Sequence, residues 1–234
     1  MKLNILSAGA AKGLVTALQS QFGDDTGAAI EGDFGAVGAM REKFLAGEPC
    51  DVIILTAAQI DALTQQGHLV AGSGAPLGRV RTGIAVRAGQ PLPAVSDAPS
   101  LAASLKAAVK GVYIPDPVRS TAGIHFVSIL EKLGIRGDVE HHLKPYPNGA
   151  MAMRGLAQST DAPSIGCTQI TEIKYTEGVT LVGPLPDEFG LATVYSVAVC
   201  SRTTQPDLAR RLADLLTGKA SEALRAAGGF EFQS

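Results

Sequence analysis

The chain has 234 residues, of which 46% are hydrophobic, so it is long enough for one large core or for two domains of ordinary size. Aromatic residues make up 5% and tryptophan is absent, which argues against a platform that stacks on single-stranded nucleic acid or sugar rings. The formal net charge is -2 and the basic residues are spread along the chain, so we predict no nucleic-acid partner and no membrane-surface partner.

Short β-branched runs alternate with segments of helical period along the whole chain. This alternation predicts βαβ units and an α/β fold with mainly parallel sheets and helices on both faces. In chain order, the predicted strands are residues 3–6, 51–55, 80–86, 112–114, 164–167, 179–182 and 193–199. Apolar positions at helical spacing predict helices around residues 14–22, 40–45, 60–63, 101–110, 129–133, 150–158 and 208–216.

The predicted strands at 80–86 and 193–199 are the places where we expect the chain to cross between two lobes. The first lobe is predicted to hold residues 1–80 and 199–234, and the second lobe residues 84–192. Two hinge crossings permit the lobes to close around a ligand, so we expect the binding site in the interlobe cleft.

Four segments place small residues or a hydroxyl directly before a predicted helix, where free backbone N–H groups and the helix dipole face an anion. These segments are residues 7–13, 34–38, 119–123 and 148–150. Glycine and serine also make ordinary turns and caps, and for any one segment alone this structural role is favoured over anion binding. The ligand-binding candidates from the first, second and fourth segments are Ser7, Gly9, Ala10, Ala11, Lys12, Gly35, Ala36, Val37 and Ala150.

The third segment contains Arg119, whose guanidinium pairs with a carboxylate through two parallel hydrogen bonds. Ser120 and Thr121 add hydroxyl donors beside it. The structural alternative for Arg119 is an ion pair with Asp116. We predict all three residues of 119–121 as ligand contacts.

Thr168 and Gln169 follow a predicted buried strand, and the carboxyl ends of parallel strands are where α/β proteins bind ligands. Both are therefore candidate ligand contacts. Cys167 precedes them, and without an activating base nearby in the sequence it is interpreted as a packed, unreactive thiol.

The chain offers no motif for a metal or a cofactor, and we predict neither. His141 and His142 are adjacent, and neighbouring residues on a strand face opposite ways, so they are interpreted as surface residues. The glycine spacing of residues 9–13 matches neither the dinucleotide nor the P-loop pattern. If the protein is an enzyme, the candidate general bases are Lys12, His125 and Glu172.

Met1 leads directly into the first predicted strand, without the apolar region of a signal peptide. We therefore expect a cytoplasmic protein, or a periplasmic one if a leader has been removed. The three cysteines are an odd number at wide spacing, which fits a reducing compartment. Nowhere do about 18 uncharged apolar residues run together, so we predict no membrane insertion.

Two ordered motifs carry a family resemblance: AGEPCDV at 46–52, similar to an AGxPxDV turn, and DPVRSTAG at 116–123, similar to DPxxxxAG. With the strand into residues 7–13, they make the chain resemble the molybdate-type substrate-binding proteins of oxyanion ABC transporters over almost its whole length. The resemblance implies a periplasmic-binding-protein-like fold of type II, with two α/β lobes and two hinge strands. It also implies an anion held by hydroxyls and helix-start amides, and a transporter permease as partner if the chain is exported.

The chain departs from the family pattern where the family binds its oxyanion. Ala10 stands where the family has a serine, and the family tyrosine falls at Thr168. In place of the serines of the family's second loop, the chain has Gly35, Ala36, Val37 and Gly38. Without these donors, several oxygen atoms of a bound oxyanion would lack hydrogen bonds. We therefore predict a small organic anion, a di- or tricarboxylate, in place of molybdate.

Two further functions stay open. A related branch of the family, the aconitate isomerases, has a similar fold, so the alternative function is an isomerase that moves a proton on an unsaturated carboxylate. A regulatory domain that signals by closing is the third hypothesis.

Overall fold

The computed structural model describes residues 1–160 and 162–232, so the last two residues of the predicted first lobe lie outside the described part. The chain divides into two compact units. Unit 1 contains Met1–Val80 and the described residues from Thr193 onward, and unit 2 contains Arg81–Ala192. The chain passes from one unit to the other twice.

The secondary structure alternates between strands and helices through most of the chain. The strands are β1 Lys2–Ala8, β2 Ala29–Gly35, β3 Val52–Thr56, β4 Ala75–Arg87, β5 Gly111–Pro115, β6 Leu143–Tyr146, β7 Ser164–Gln169, β8 Val179–Pro184 and β9 Ala192–Val199. The helices are α1 Lys12–Thr26, α2 Val37–Leu45, α3 Ala57–Gln65, α4 Ala98–Ala107, α5 Thr121–Lys132, α6 Arg136–Val139, α7 Gly149–Ala157, α8 Ile170–Tyr175, α9 Pro206–Thr217 and α10 Glu222–Gly228.

The sheet of unit 1 has the order β2-β1-β3-β9. Strand β1 pairs in parallel with both β2 and β3, whereas β9 runs antiparallel to β3. Alternate residues face opposite sides of a strand, and both sides of this sheet are buried under helices. Leu3 and Ile5 pack with residues of α1 and α9, while Leu6 and Ile53 pack with residues of α2 and α3.

The sheet of unit 2 is built around three parallel strands, β6-β5-β7. Strand β4 pairs antiparallel with β7 and β8, so the sheet is mixed. One face packs against α4 and α5 through residues such as Leu105 and Phe126. The other face packs against α7 and α8 through residues such as Met153 and Ile173.

The α/β class, the parallel pairings and the helices on both sheet faces are confirmed. Strands β2 and β6 were not predicted, because β2 carries polar residues along much of its length and the four residues of β6 include a proline. His141 and His142 lie in a 3-10 helix, Glu140–His142, so the prediction that they alternate on a strand was wrong. Among the described residues, no helix is long and apolar enough to cross a membrane.

Candidate functional site

Three helix starts of unit 2 lie at one edge of its sheet. Strands β6, β5 and β7 are parallel neighbours, so their carboxyl ends share an edge. Each strand is followed there by a helix: α7 after β6, α5 after β5, and α8 directly after β7. This is the edge at which α/β sheets bind ligands, and it brings the candidates of 119–121, Ala150 and 168–169 to the same side of the unit.

The loop from β5 to α5 is shaped by Asp116. Its Oδ1 accepts hydrogen bonds from the backbone N–H groups of Val118 at 2.7 Å and Arg119 at 3.0 Å. The Asp116 carboxylate therefore fixes the backbone of the turn, and the Arg119 side chain is exposed. Within the described residues, the Ser120 side chain makes no cap bond to α5, so first-turn amides of this helix lack the usual side-chain acceptor.

Gly123 lets the first turn of α5 lie directly on the end of β5. A Cβ at this position would be 2.2 Å from the Asp116 carbonyl oxygen and 2.6 Å from that of Pro115. Both neighbours are backbone atoms that cannot swing away. The glycine of the DPxxxxAG motif is thus required by close approach of the helix to the strand.

Gln169 ends β7 as a buried side chain with its amide unsatisfied. It is 3% exposed, and among the described residues neither its Nε2 nor its Oε1 has a hydrogen-bond partner. Thr82 lies opposite Gln169 in the β4–β7 pair. Its Oγ1 is also buried and has no hydrogen-bond partner among the described residues. Buried polar groups are nearly always hydrogen-bonded in folded proteins, so these atoms are open to a hydrogen bond from a ligand or from water.

Glu172 places a carboxyl at the start of α7. Its Oε2 accepts from the Thr168 hydroxyl at 2.5 Å, and the amides of Ala150, Gln169 and Gly149 hydrogen-bond to the same carboxyl. Burial raises the pKa of Glu172, and these four hydrogen bonds oppose that rise. The α7 start, predicted as a ligand site through Ala150, therefore already holds an acceptor from the chain itself.

The unit 1 candidates gather at the matching edge of their own sheet. Strands β1 and β2 are parallel, with Ala8 opposite Gly35, so the starts of α1 and α2 are neighbours. The N-cap residues are Ala11 and Ala36, whose side chains have no oxygen to cap a helix. A 3-10 helix, Gly9–Ala11, leads into α1 and includes Ala10.

The remaining unit 1 candidates have local partners. The Ser7 hydroxyl is buried and donates to the Ala8 carbonyl oxygen at 2.9 Å. Lys12 is half-buried, and its ammonium lies 5.7 Å from the centre of the Phe34 ring, in a cation–π contact. Val37 is the first residue of α2 and is half-buried.

Of the candidate bases in unit 2, His125 has one ring nitrogen in a defined role. Its Nε2 lies 2.7 Å from the Phe189 carbonyl oxygen, and a carbonyl only accepts, so Nε2 carries the proton.

Burial raises the pKa of the Cys167 thiol, which fits the interpretation of an unreactive cysteine. Among the described residues, no group of three or more metal-binding side chains is found.

Sequence reasoning missed two contributors to this edge. Thr82 lies on a strand predicted only as a hinge, and its place opposite Gln169 depends on the β4–β7 register. Gly149 belongs to a predicted helix start, but the sequence does not show why this residue is a glycine. The reason is Glu172, because a Cβ at position 149 would lie 1.9 Å from Oε2 of that carboxyl. No local sequence signal reports either contact.

Two α/β units, each with helices that start at the carboxyl ends of its parallel strands, are typical of the type II periplasmic-binding proteins. The chain belongs to the bacterial extracellular solute-binding protein family, whose model matches residues 3–231. The periplasmic molybdate-binding protein of Azotobacter vinelandii superposes with a TM-score of 0.81 at 18% identity, covering 99% of this chain and 100% of that one. A sulfate-binding protein of Mycobacterium tuberculosis gives a TM-score of 0.72 at 17% identity, covering 98% of this chain and 86% of that one.

A curated relative is an enzyme. The aconitate isomerase of a Pseudomonas species is 28% identical, over 97% of this chain and 86% of its own length. The family match supports ligand binding by this chain.

Proposed function

We propose that the chain binds a small organic anion, a di- or tricarboxylate, and that the Gln169 site is central to its recognition. The Gln169 site consists of Arg119, Ser120, Thr121 and Gln169 at the carboxyl-end edge of the unit 2 sheet, whereas the Thr168 hydroxyl is already bonded to Glu172. The observation that carries this proposal is the buried Gln169 amide with both polar atoms unpartnered among the described residues. An amide left in this state costs folding free energy of about 1–3 kcal/mol, and a ligand that bonds to it removes the cost.

The positive charge for the anion comes from Arg119. It lies directly before α5, where N–H groups of the first helical turn also face outward. The start of α7 already holds the Glu172 carboxyl, so the amides of Gly149 and Ala150 have an acceptor from the chain itself and are not open to a ligand carboxylate. The ligand's negative charge is therefore directed to Arg119 and the α5 start.

The Gln169 amide favours an organic ligand over an inorganic oxyanion. Its Nε2 donates to a ligand oxygen, but its Oε1 accepts and needs a hydrogen-bond donor. Molybdate and sulfate offer only acceptor oxygens at neutral pH. A carboxylic acid that also carries a hydroxyl or a protonated carboxyl satisfies both atoms.

Arg119→Ala tests this assignment by isothermal titration calorimetry with a panel of aconitate, citrate and malate. We expect the variant to lose binding by at least about 100-fold, because two charge-assisted hydrogen bonds are removed. Arg136→Ala is the matched control, since Arg136 is also an exposed arginine of unit 2 and its pairing with Glu131 lies outside the Gln169 site. Tight carboxylate binding by Arg119→Ala would contradict the assignment.

An isomerase that moves a proton on an unsaturated carboxylate is the second candidate function. It is supported by the 28% identical aconitate isomerase. Of the three candidate bases, we favour His125, because Nε2 donates to Phe189 and a neutral ring keeps a lone pair at Nδ1 for a proton. Glu172 already accepts several hydrogen bonds and is a weaker candidate.

Proton NMR in D₂O with cis- and trans-aconitate tests the isomerase. An isomerase of this kind interconverts the two and places solvent deuterium in the product, and His125→Gln reduces the rate by about 100-fold or more while binding persists. If wild-type protein binds aconitate but leaves every C–H signal unchanged, the isomerase is excluded and the binding function stands.

A further inference from the structure

Two of the three cysteines lie side by side in unit 1, although 150 positions separate them in sequence. The Cys200 S–H donates to the Sγ of Cys50, and the two sulfur atoms are 3.4 Å apart. Both are free thiols. Their proximity has no part in the proposed ligand site.

The backbone around the pair is fixed by the sheet. Strands β3 and β9 are antiparallel neighbours with Val52 opposite Val199, and the Cys200 N–H donates to the Asp51 carbonyl oxygen at 2.9 Å. Cys50 lies just before β3 and Cys200 just after β9. The two thiols thus approach each other from adjacent strand ends, and forming a disulfide requires the sulfur distance to shorten from 3.4 Å to about 2.05 Å.

The two thiols differ in access to solvent. Cys200 is fully buried, whereas Cys50 is half-buried and its Sγ also contacts the Val52 carbonyl oxygen at 3.3 Å. An oxidant from solution therefore meets Cys50 first. Cys200 is then already within reach as the second sulfur.

We propose that Cys50 and Cys200 form a disulfide when the protein meets a small-molecule disulfide. In the first step the Cys50 thiolate attacks one sulfur of the oxidant, which forms a mixed disulfide and releases one thiol. In the second step Cys200 loses its proton and attacks the Cys50 sulfur, which releases the second thiol. Overall the protein loses two hydrogens and gains one S–S bond, and the oxidant is reduced to two thiols.

The bond would tie the loop before β3 to the end of β9. It closes a chain segment that contains about a third of unit 1 and all of unit 2, and cross-links across long segments restrict the unfolded chain most strongly. The oxidised protein should therefore be more stable to heat, by about 5 °C or more in melting temperature. Reduction should reverse the gain.

The test uses the full chain incubated with oxidised glutathione at pH 8, followed by thiol counting in denaturant and peptide mapping without reduction. We expect the count to fall from three to one, with a cross-linked peptide that joins Cys50 to Cys200 and with Cys167 still free. Cys50→Ser and Cys200→Ser should give no such peptide and no heat stabilisation. The proposal is overturned if three thiols remain, or if Cys50 ends as a glutathione adduct without a link to Cys200.

Discussion

Glu172 is a residue whose surroundings favour its neutral form. Burial disfavours a charged carboxylate, and the net effect is a raised pKa although Thr168 and three amides bond to the charged form. Below the pKa of an unfolded glutamate, about 4.3, the side chain is neutral in both states. Above it, the unfolded chain gives up the proton more readily than the folded protein does, so this residue makes the folded state less stable as pH rises.

Glu172→Gln should remove that pH dependence while keeping an acceptor for the amides. We expect the free energy of unfolding of the variant, relative to wild type, to increase as pH rises from about 4 and to level off above the raised pKa of Glu172. Urea denaturation of both proteins at several pH values measures this difference. A relative stability that instead falls as pH rises would mean that the hydrogen bonds outweigh burial.

Gln169 links ligand binding to stability through one side chain. Gln169→Met keeps an unbranched chain of similar length but removes the unpartnered amide. We expect the free protein to gain about 1–3 kcal/mol in free energy of unfolding and to bind its carboxylate ligand at least about tenfold more weakly.

Thermal unfolding and calorimetry measure the two effects of Gln169→Met. Gln158→Met, at an exposed position just after α7, is the control and should change neither quantity appreciably. Loss of stability together with unchanged affinity would show that the Gln169 amide serves the fold and not the ligand.

The candidate site could be predicted only partly from the sequence. Small residues after strands correctly located the starts of α1, α2, α5 and α7. That Glu172 occupies the α7 start could not be predicted, because the contact depends on how α8 and α7 come together around the end of β7. Burial and lack of partners at Gln169 also depend on tertiary packing, although the end of its strand was predicted.

At the scale of elements, α7 and α8 are joined at their starts by the Glu172 carboxyl. Gly149 makes this possible, since a Cβ there would lie 1.9 Å from Glu172 Oε2 and 2.0 Å from Thr168 Oγ1. A side chain of any size therefore separates the two helices or displaces the carboxyl. The glycine is part of the site's architecture.

Gly149→Ala should lower the free energy of unfolding by about 1–3 kcal/mol, because the added methyl overpacks a buried contact. Gly137→Ala is the matched control: it is also a helical position of unit 2, with no heavy atom within 4 Å of the added Cβ. The control should be neutral or slightly stabilising. Equal stability of the two variants, measured by urea denaturation, would contradict the close contact at Gly149.

Element prediction worked where apolar periodicity was strong. Strands such as β3 and β5 are continuous buried runs, and α9 has a clear apolar face, so each was visible in the sequence. Strand β2 has few apolar residues and no clear alternation of apolar and polar positions. It is held mainly by its pairing with β1, which exists only in the folded sheet. The same holds for β6, which pairs with β5.

For the whole molecule, the fold does not decide between a receptor and an enzyme. Structures similar to this chain include binding proteins for molybdate and sulfate, while the isomerase relative shares 28% of its residues. One architecture thus accommodates different ligands, and function has to be argued from the site. Our proposal of a carboxylate ligand therefore depends on Arg119 and Gln169.

Calorimetric titration of ligand-free wild-type protein with aconitate, citrate, malate, molybdate and sulfate, under one set of conditions, tests the central claim most directly. We predict that at least one of the carboxylates binds with a defined stoichiometry and that neither inorganic oxyanion does. Binding of molybdate or sulfate with no response to any carboxylate would contradict the account, because it would mean that backbone amides alone recognise the ligand and that the Gln169 site plays no part in its selection.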